Sequence, residues 1–113
     1  LQAPEDLMDA VTALSGTGPA YVFHTIEVMI ESGIEMGMSR EVAEKLVLQT
    51  FFGSALLAMK SELNPTDLRK EVTSKGGTTD TAISHLKENN YTKIVIEAIL
   101  KAKNRSRELG DIN

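Results

Sequence analysis

The 113-residue sequence predicts an all-α fold of five or six helices. Three observations carry that prediction. Apolar residues recur three and four positions apart along most of the chain. Pro, Gly, Asn and Ser cluster at the points where one such period stops and the next starts. No strand candidate survives, because short β-branched runs such as Ile94-Val95-Ile96 lie inside longer helical periods with no flanking turns.

The first helix is expected over residues 4–14, with Leu7, Val11 and Leu14 at helical spacing. Pro4 suits a first helical position, and Glu5 and Asp6 complement the positive end of the helix dipole. Ser15-Gly16-Thr17-Gly18-Pro19 should break the pattern sharply. Pro19 opens a second helix to about residue 36, with Val22, Ile26, Met29, Ile30 and Ile34 as its apolar stripe and Gly37 as its stop. Ser39 is the expected N-cap of a third helix, about residues 40–61. The middle of this helix, residues 46–59, is apolar almost all round. A helix without a polar face has to be covered on all sides, which a chain this small hardly manages alone. A partner subunit is the simpler cover, ahead of a central core helix in a monomer.

Asn64 caps a short fourth helix that starts at Pro65 and ends near Val72, with Asp67 in the place of a capping-box acid. A loop at residues 73–77 leads to a helix from Thr78 to about residue 87, with Ala82, Ile83 and Leu86 inward and Asn89-Asn90 ending it. The last helix runs from Tyr91 to about Leu109, with Ile94, Ile96, Ala98, Ile99 and Ala102 apolar, and Gly110 is its expected stop.

Composition removes several function classes. The formal charge is -4 and the pI about 5.1, the opposite of the basic surface of a nucleic-acid binder. Aromatic residues make up only 4%, too few for base stacking. With no cysteine, a disulfide scaffold, a Cys-ligated zinc site and thiol catalysis are excluded. No apolar run approaches the roughly 18 residues of a membrane span, and no basic-then-apolar leader precedes the first helix. The expectation is a cytoplasmic protein without membrane or nucleic-acid partners. A chain that begins at Leu1 is also expected to be a piece of a longer protein.

Most chemistry-bearing residues read as ordinary surface. Gly16-Thr17-Gly18 resembles the start of a dinucleotide fingerprint, but no strand precedes it and Tyr21 stands at the third glycine position. His24, Glu27 and Glu31 share a helix face, as solvated residues rather than metal ligands, and His85 stands alone, so no metal site is expected. Lys101, Lys103, Arg105 and Arg107 suit the C-terminal end of a helix. The informative segment is residues 72–79, VTSKGGTT. Two glycines permit close backbone approach, and Thr78 and Thr79 place hydroxyls and free N–H groups at a helix start, where carboxylate or phosphate binds well. From the residues alone, an ordinary capped loop and a small-anion site both fit, the capped loop somewhat better.

Two motifs add a resemblance. Residues 9–21 (DAVTALSGTGPAY) resemble the start of the C-terminal domain of the pyrroline-5-carboxylate reductases. Leu68-Arg69, Val72-Thr73-Ser74 and Gly76-Gly77-Thr78-Thr79 resemble the second hallmark of that family, in the right order and separation. Residues 33–37 (GIEMG), Gln49-Thr50 and residues 105–109 (RSREL) also look familial, and the resemblance covers about residues 4–110.

The resemblance implies a single helical dimerisation and substrate-loop domain over residues 1–113, interlocked with a partner subunit as a homodimer or an oligomer of dimers. It implies a parent oxidoreductase of proline biosynthesis that reduces 1-pyrroline-5-carboxylate to proline with NADPH or NADH. The cofactor is then bound mainly by an N-terminal Rossmann domain absent from this sequence, and the fragment alone is inactive. It assigns substrate binding to Ser74, Gly77, Thr78 and Thr79, with Thr79 near the ring nitrogen as the catalytic hydroxyl and the N–H groups of Gly77 and Thr78 on the substrate carboxylate. Glu5 matches an acidic position at the hinge into this domain and borders the small-molecule substrate or the cofactor. Lys75 stands where the family commonly has Pro, and Glu71, at a cofactor-contacting position, where it often has Asn or Gln. These departures leave two other readings open: a non-catalytic reductase-like assembly domain, or a reductase of another small imine or keto acid.

Overall fold

The computed structural model describes residues 4–112, and the side chains of residues 4–6 lie outside the described part. Six α-helices appear in order: α1 (Pro4–Val11), α2 (Gly18–Glu35), α3 (Arg40–Lys60), α4 (Pro65–Glu71), α5 (Thr78–Glu88) and α6 (Tyr91–Ile112). There is no strand among the described residues, so the all-α expectation holds.

The chain forms two packing units, one comprising the residues up to Phe23 and from His85 on, the other His24–Ser84. In the first unit, the expected sharp break after Leu14 is instead a π-helical turn, Thr12–Gly16. Thr17 N–H donates to Thr12 O at 2.8 Å, an i→i+5 bond that keeps the chain wound until α2 begins at Gly18. The hydroxyl of Tyr21 donates to the carbonyl of Ala13 at 2.6 Å, and Ala13 is only 1% exposed. Ser106 on α6 donates to Asp9 Oδ1 on α1 at 2.8 Å, tying the ends of the unit together. Helix α6 passes through Gly110 to Ile112. Gly110 keeps a negative φ, and a glycine in a helix costs only about 0.5–1 kcal/mol relative to alanine, which is too little to force a stop. Ile99 and Ala102 are half-buried, whereas Ile94, Ile96, Leu7, Val11 and Leu14 stay exposed.

In the second unit, α2 and α3 form an antiparallel pair. Glycine ends α2 as expected. Gly37 has φ +101°, Met38 N–H donates to Gly33 O and Gly37 N–H to Ile34 O, both at 3.0 Å, the two bonds of a Schellman cap. Ser39 caps α3 by accepting from Val42 N–H at 3.2 Å. The small core consists of Ile30, Ala43 and Val47, with Ile26, Ile34 and Phe51 packed against it. Of the expected α2 stripe, Val22 and Met29 remain exposed.

The helices approach closely at Gly33, where an added Cβ would lie 2.8 Å from the Cβ of Ala43. Gly33→Ala should therefore cost about 1–3 kcal/mol through overpacking. A thermal melt followed by circular dichroism checks this. An unchanged Tm would mean that the two helices separate at no cost.

Helix α3 has 21 residues, and only Ala43 and Val47 on it are buried. Phe52 is 65% exposed and Met59 83%, and Leu46, Leu48, Leu56 and Leu57 are exposed as well. By length and composition this helix is long and apolar enough to cross a membrane, which corrects the expectation that no segment approaches a span. The expectation looked for an unbroken apolar run. Between Lys45 and Lys60 the interruptions of α3 are uncharged (Gln49, Thr50, Gly53, Ser54), so the average stays high although no run is continuous.

Candidate functional site

The site grows from the end of α4. Asn64 Oδ1 accepts from Asp67 N–H at 2.8 Å and Pro65 takes the first turn, so the helix is anchored at its start. It runs out at Glu71, and Val72 is its C-cap. There Thr73 N–H donates to Lys70 O at 3.1 Å and the Thr73 hydroxyl to Arg69 O at 2.6 Å, satisfying two of the last carbonyls.

Residues 74–77 then form a turn closed by Gly77 N–H to Ser74 O at 2.9 Å. Gly76 is the third residue of that turn with φ +76°, a value that suits glycine. A Cβ on Gly77 would meet Ser74 O at 3.1 Å, so the second glycine is needed for the close approach. The carbonyl of Gly77 accepts from Thr81 N–H at 3.0 Å and from the Thr81 hydroxyl at 3.0 Å. Gly77 is thus the N-cap of α5. The N–H groups of Thr78, Thr79 and Asp80 form its first turn and have no intrahelical acceptor. They carry the positive end of the α5 dipole.

This geometry corrects one expectation. The Gly77 N–H is turned into the loop and is engaged by Ser74, so it is not a free donor. The available donors at this helix start begin at Thr78. Ser74, Lys75 and Thr78 are exposed, Glu71 is exposed as the last residue of α4, and Thr79 is half-buried. Thr79 lines an open groove of about 620 Å³ together with Arg69, Val72, Ile83, Phe51 and Met29. Ile83 is half-buried there, while Ala82 and Leu86, also expected inward, are exposed. The local turn therefore brings Ser74, Gly77, Thr78 and Thr79 together. The side chain of Glu5 lies outside the described residues.

Two features were not anticipated from sequence. Asp80 Oδ2 accepts from Gly76 N–H at 2.9 Å, and its other oxygen lies 3.4 Å from the Ser84 hydroxyl. The signal was present, since Asp80 stands three residues after the N-cap, the position of a capping-box acid. Arg69 lines the same groove as Thr79, which residue spacing alone does not reveal. Away from this site, His24 Nδ1 is 3.3 Å from Glu27 Oε1 on an exposed face.

Comparison with known proteins decides the family. Residues 5–109 match the family described as pyrroline-5-carboxylate reductase dimerisation. The chain belongs to that family. Among curated relatives it is 44% identical over 110 residues to the pyrroline-5-carboxylate reductase of Synechocystis, an alignment covering 97% of this chain and 41% of the relative. It is 45% identical over 107 residues to that of Pseudomonas aeruginosa, covering 95% of this chain and 39% of the relative. The chain thus spans about two fifths of the length of these relatives. Among solved structures, it is similar to a pyrroline-5-carboxylate reductase from Coxiella burnetii, with TM-score 0.90, 41% identity, and coverage of 95% of this chain and 40% of that one. It is also similar to the pyrroline carboxylate reductase of Plasmodium falciparum with NADP bound, with TM-score 0.88, 39% identity, and coverage of 91% and 41%. The match to solved structures extends over nearly the whole helical chain, as the all-α reading requires.

Proposed function

We propose that this chain is the single helical dimerisation and substrate-loop domain of an enzyme that reduces 1-pyrroline-5-carboxylate to proline. The observation that carries the reading is the α5 start. Half-buried Thr79, which lines a groove, stands in the first turn of a helix whose first N–H groups have no intrahelical acceptor, within a chain whose matched family is a reductase dimerisation domain. The substrate has a carboxylate and a ring imine. The N–H groups of Thr78 and Thr79 at the positive end of α5 suit the carboxylate. Ser74 and Gly77 shape the loop that presents them, and Lys75 adds a positive charge beside it. In this reading the Thr79 hydroxyl hydrogen-bonds the ring nitrogen as electrons flow onto it, so it stabilises the transition state more than the ground state.

A nicotinamide cofactor, NADPH or NADH, supplies the hydride when bound. In this reading an N-terminal Rossmann domain outside the chain holds it, in keeping with the two fifths of the relatives' length that the chain spans. Exposed Glu71 at the end of α4 fits a hydroxyl or amide of that cofactor and not its phosphates, which a carboxylate repels. Glu5 borders the substrate at the hinge. A second copy of the chain covers the apolar surround of α3 in a homodimer, alone or within a larger assembly. Glu41, Glu44 and Lys45 in the first two turns favour a protein cover over lipid. The reading carries a cytoplasmic location.

Isolated residues 1–113 should give a flat calorimetric titration with NADPH and NADH up to about millimolar, because the diphosphate cradle belongs to a βαβ unit. Tight binding would place the cofactor site in the helical domain. The direct test of the function is addition of 1-pyrroline-5-carboxylate to the full-length protein with either cofactor. Substrate-dependent loss of reduced-nicotinamide absorbance is expected. An assembled protein that oxidises neither cofactor would instead support a non-catalytic assembly role, and activity only with another imine or keto acid would move the substrate assignment.

A further inference from the structure

The glycine pair that shapes the loop is also its weakness, since two adjacent glycines have the greatest backbone freedom to lose. Backbone bonding closes the turn only at Gly77 N–H. Among the described residues, the side chain that accepts a loop N–H is Asp80, at 2.9 Å from Gly76 N. Asp80 projects from the first turn of α5, one residue after Thr79, and Ser84 one turn on lies 3.4 Å from its second oxygen. The carboxylate is thereby held by its own helix while it holds the left-handed glycine.

We propose that Asp80 is the positioning residue of the substrate loop: it clasps Gly76 and so fixes the helix start that presents Thr78 and Thr79. This rests on the reading of that helix start as the substrate-carboxylate site. The clasp has a second consequence. A full negative charge in the first turn of α5 opposes an incoming carboxylate, so the residue that orders the loop also lowers its anion affinity. Clasp and charge are separable, because asparagine retains an oxygen that accepts from Gly76 N–H but has no charge, and alanine has neither.

The test compares Asp80→Asn and Asp80→Ala in the full-length protein, with thermal melts to confirm folding. Asp80→Asn should lower KM for 1-pyrroline-5-carboxylate roughly threefold to tenfold, the size of one removed like charge near a surface site, with kcat within about twofold. Asp80→Ala should raise KM about fivefold or more and lower kcat as well, because Thr79 is then presented by an unclasped loop. Hydrogen exchange at Gly76, measured in the same proteins, should accelerate about tenfold in the alanine variant and stay near wild type in the asparagine variant. Wild-type kinetics in both folded variants would overturn the proposal, as would equal losses in both. A wild-type protein that does not reduce the imine at all refutes the substrate reading instead. In that case unchanged Gly76 exchange in Asp80→Ala would still overturn the clasp.

Discussion

Replacing Thr79 by valine in the full-length protein should slow turnover roughly tenfold to a thousandfold, the range for losing one transition-state hydrogen bond. Thr79→Ser should keep most of the rate, because it keeps the hydroxyl. The competing explanation is that Thr79 serves only to cap α5. The geometry weighs against that role. Gly77 occupies the N-cap, as its carbonyl receives the Thr81 N–H, and Thr79 is two residues inside the helix. Its hydroxyl has no hydrogen-bond partner among the described residues, which leaves it available to a ligand, and Thr79 lines a groove. Removing a cap would cost about 0.5–2 kcal/mol of stability and leave the chemistry intact. Thermal melts and kcat measured on the same variants therefore separate the two. A folded valine variant with wild-type turnover would remove Thr79 from the catalytic assignment.

The second large effect is on assembly. Phe52→Asp should convert the protein from an oligomer to a monomer or an aggregate, with a mass that depends on concentration. In a monomer, Phe52 would be 65% exposed, and a surface substitution there is worth within about 0.5 kcal/mol. In an oligomer it would be buried. Burial of a phenylalanine contributes about 1.5–3 kcal/mol, and a desolvated, unpaired carboxylate in its place costs several more. The same substitution is thus nearly silent in one case and severe in the other. Sedimentation of the variant over a range of concentrations reads the difference. An Asp variant that sediments like the wild type would put the interface elsewhere.

Where sequence and structure agree, the signals were local. Ser39 and Asn64 cap the helices they were expected to cap, and Gly37 and Asn90 take positive φ where α2 and α5 end. Each of these depends on two to four consecutive residues and on backbone sterics alone. The misses depended on wider context. The π-turn at Thr12–Gly16 is supported by Tyr21, several residues along the chain. Gly110 could stop a helix only by taking a positive φ, and nothing demands that of it. The apolar residues at helical spacing on α1 and α6 are largely exposed, because apolar periodicity reports that a face is buried without saying by which chain. At the site, the residue types of the loop and its helix start were legible from spacing. The direction of the Gly77 N–H and the clasp by Asp80 were not, since both follow from how the turn closes.

The claim on which the rest depends is that this chain is part of a core completed by a second copy. Among the described residues the buried apolar ones are Ala13 in one unit and Ile30, Ala43 and Val47 in the other, while Leu46, Leu48, Phe52, Leu56 and Leu57 on one helix stay exposed. The most direct measurement is the mass in solution, by light scattering, of residues 1–113 at micromolar concentration. The expected result is twice 12.3 kDa or a larger even multiple. A well-folded, monodisperse species of 12.3 kDa would contradict it.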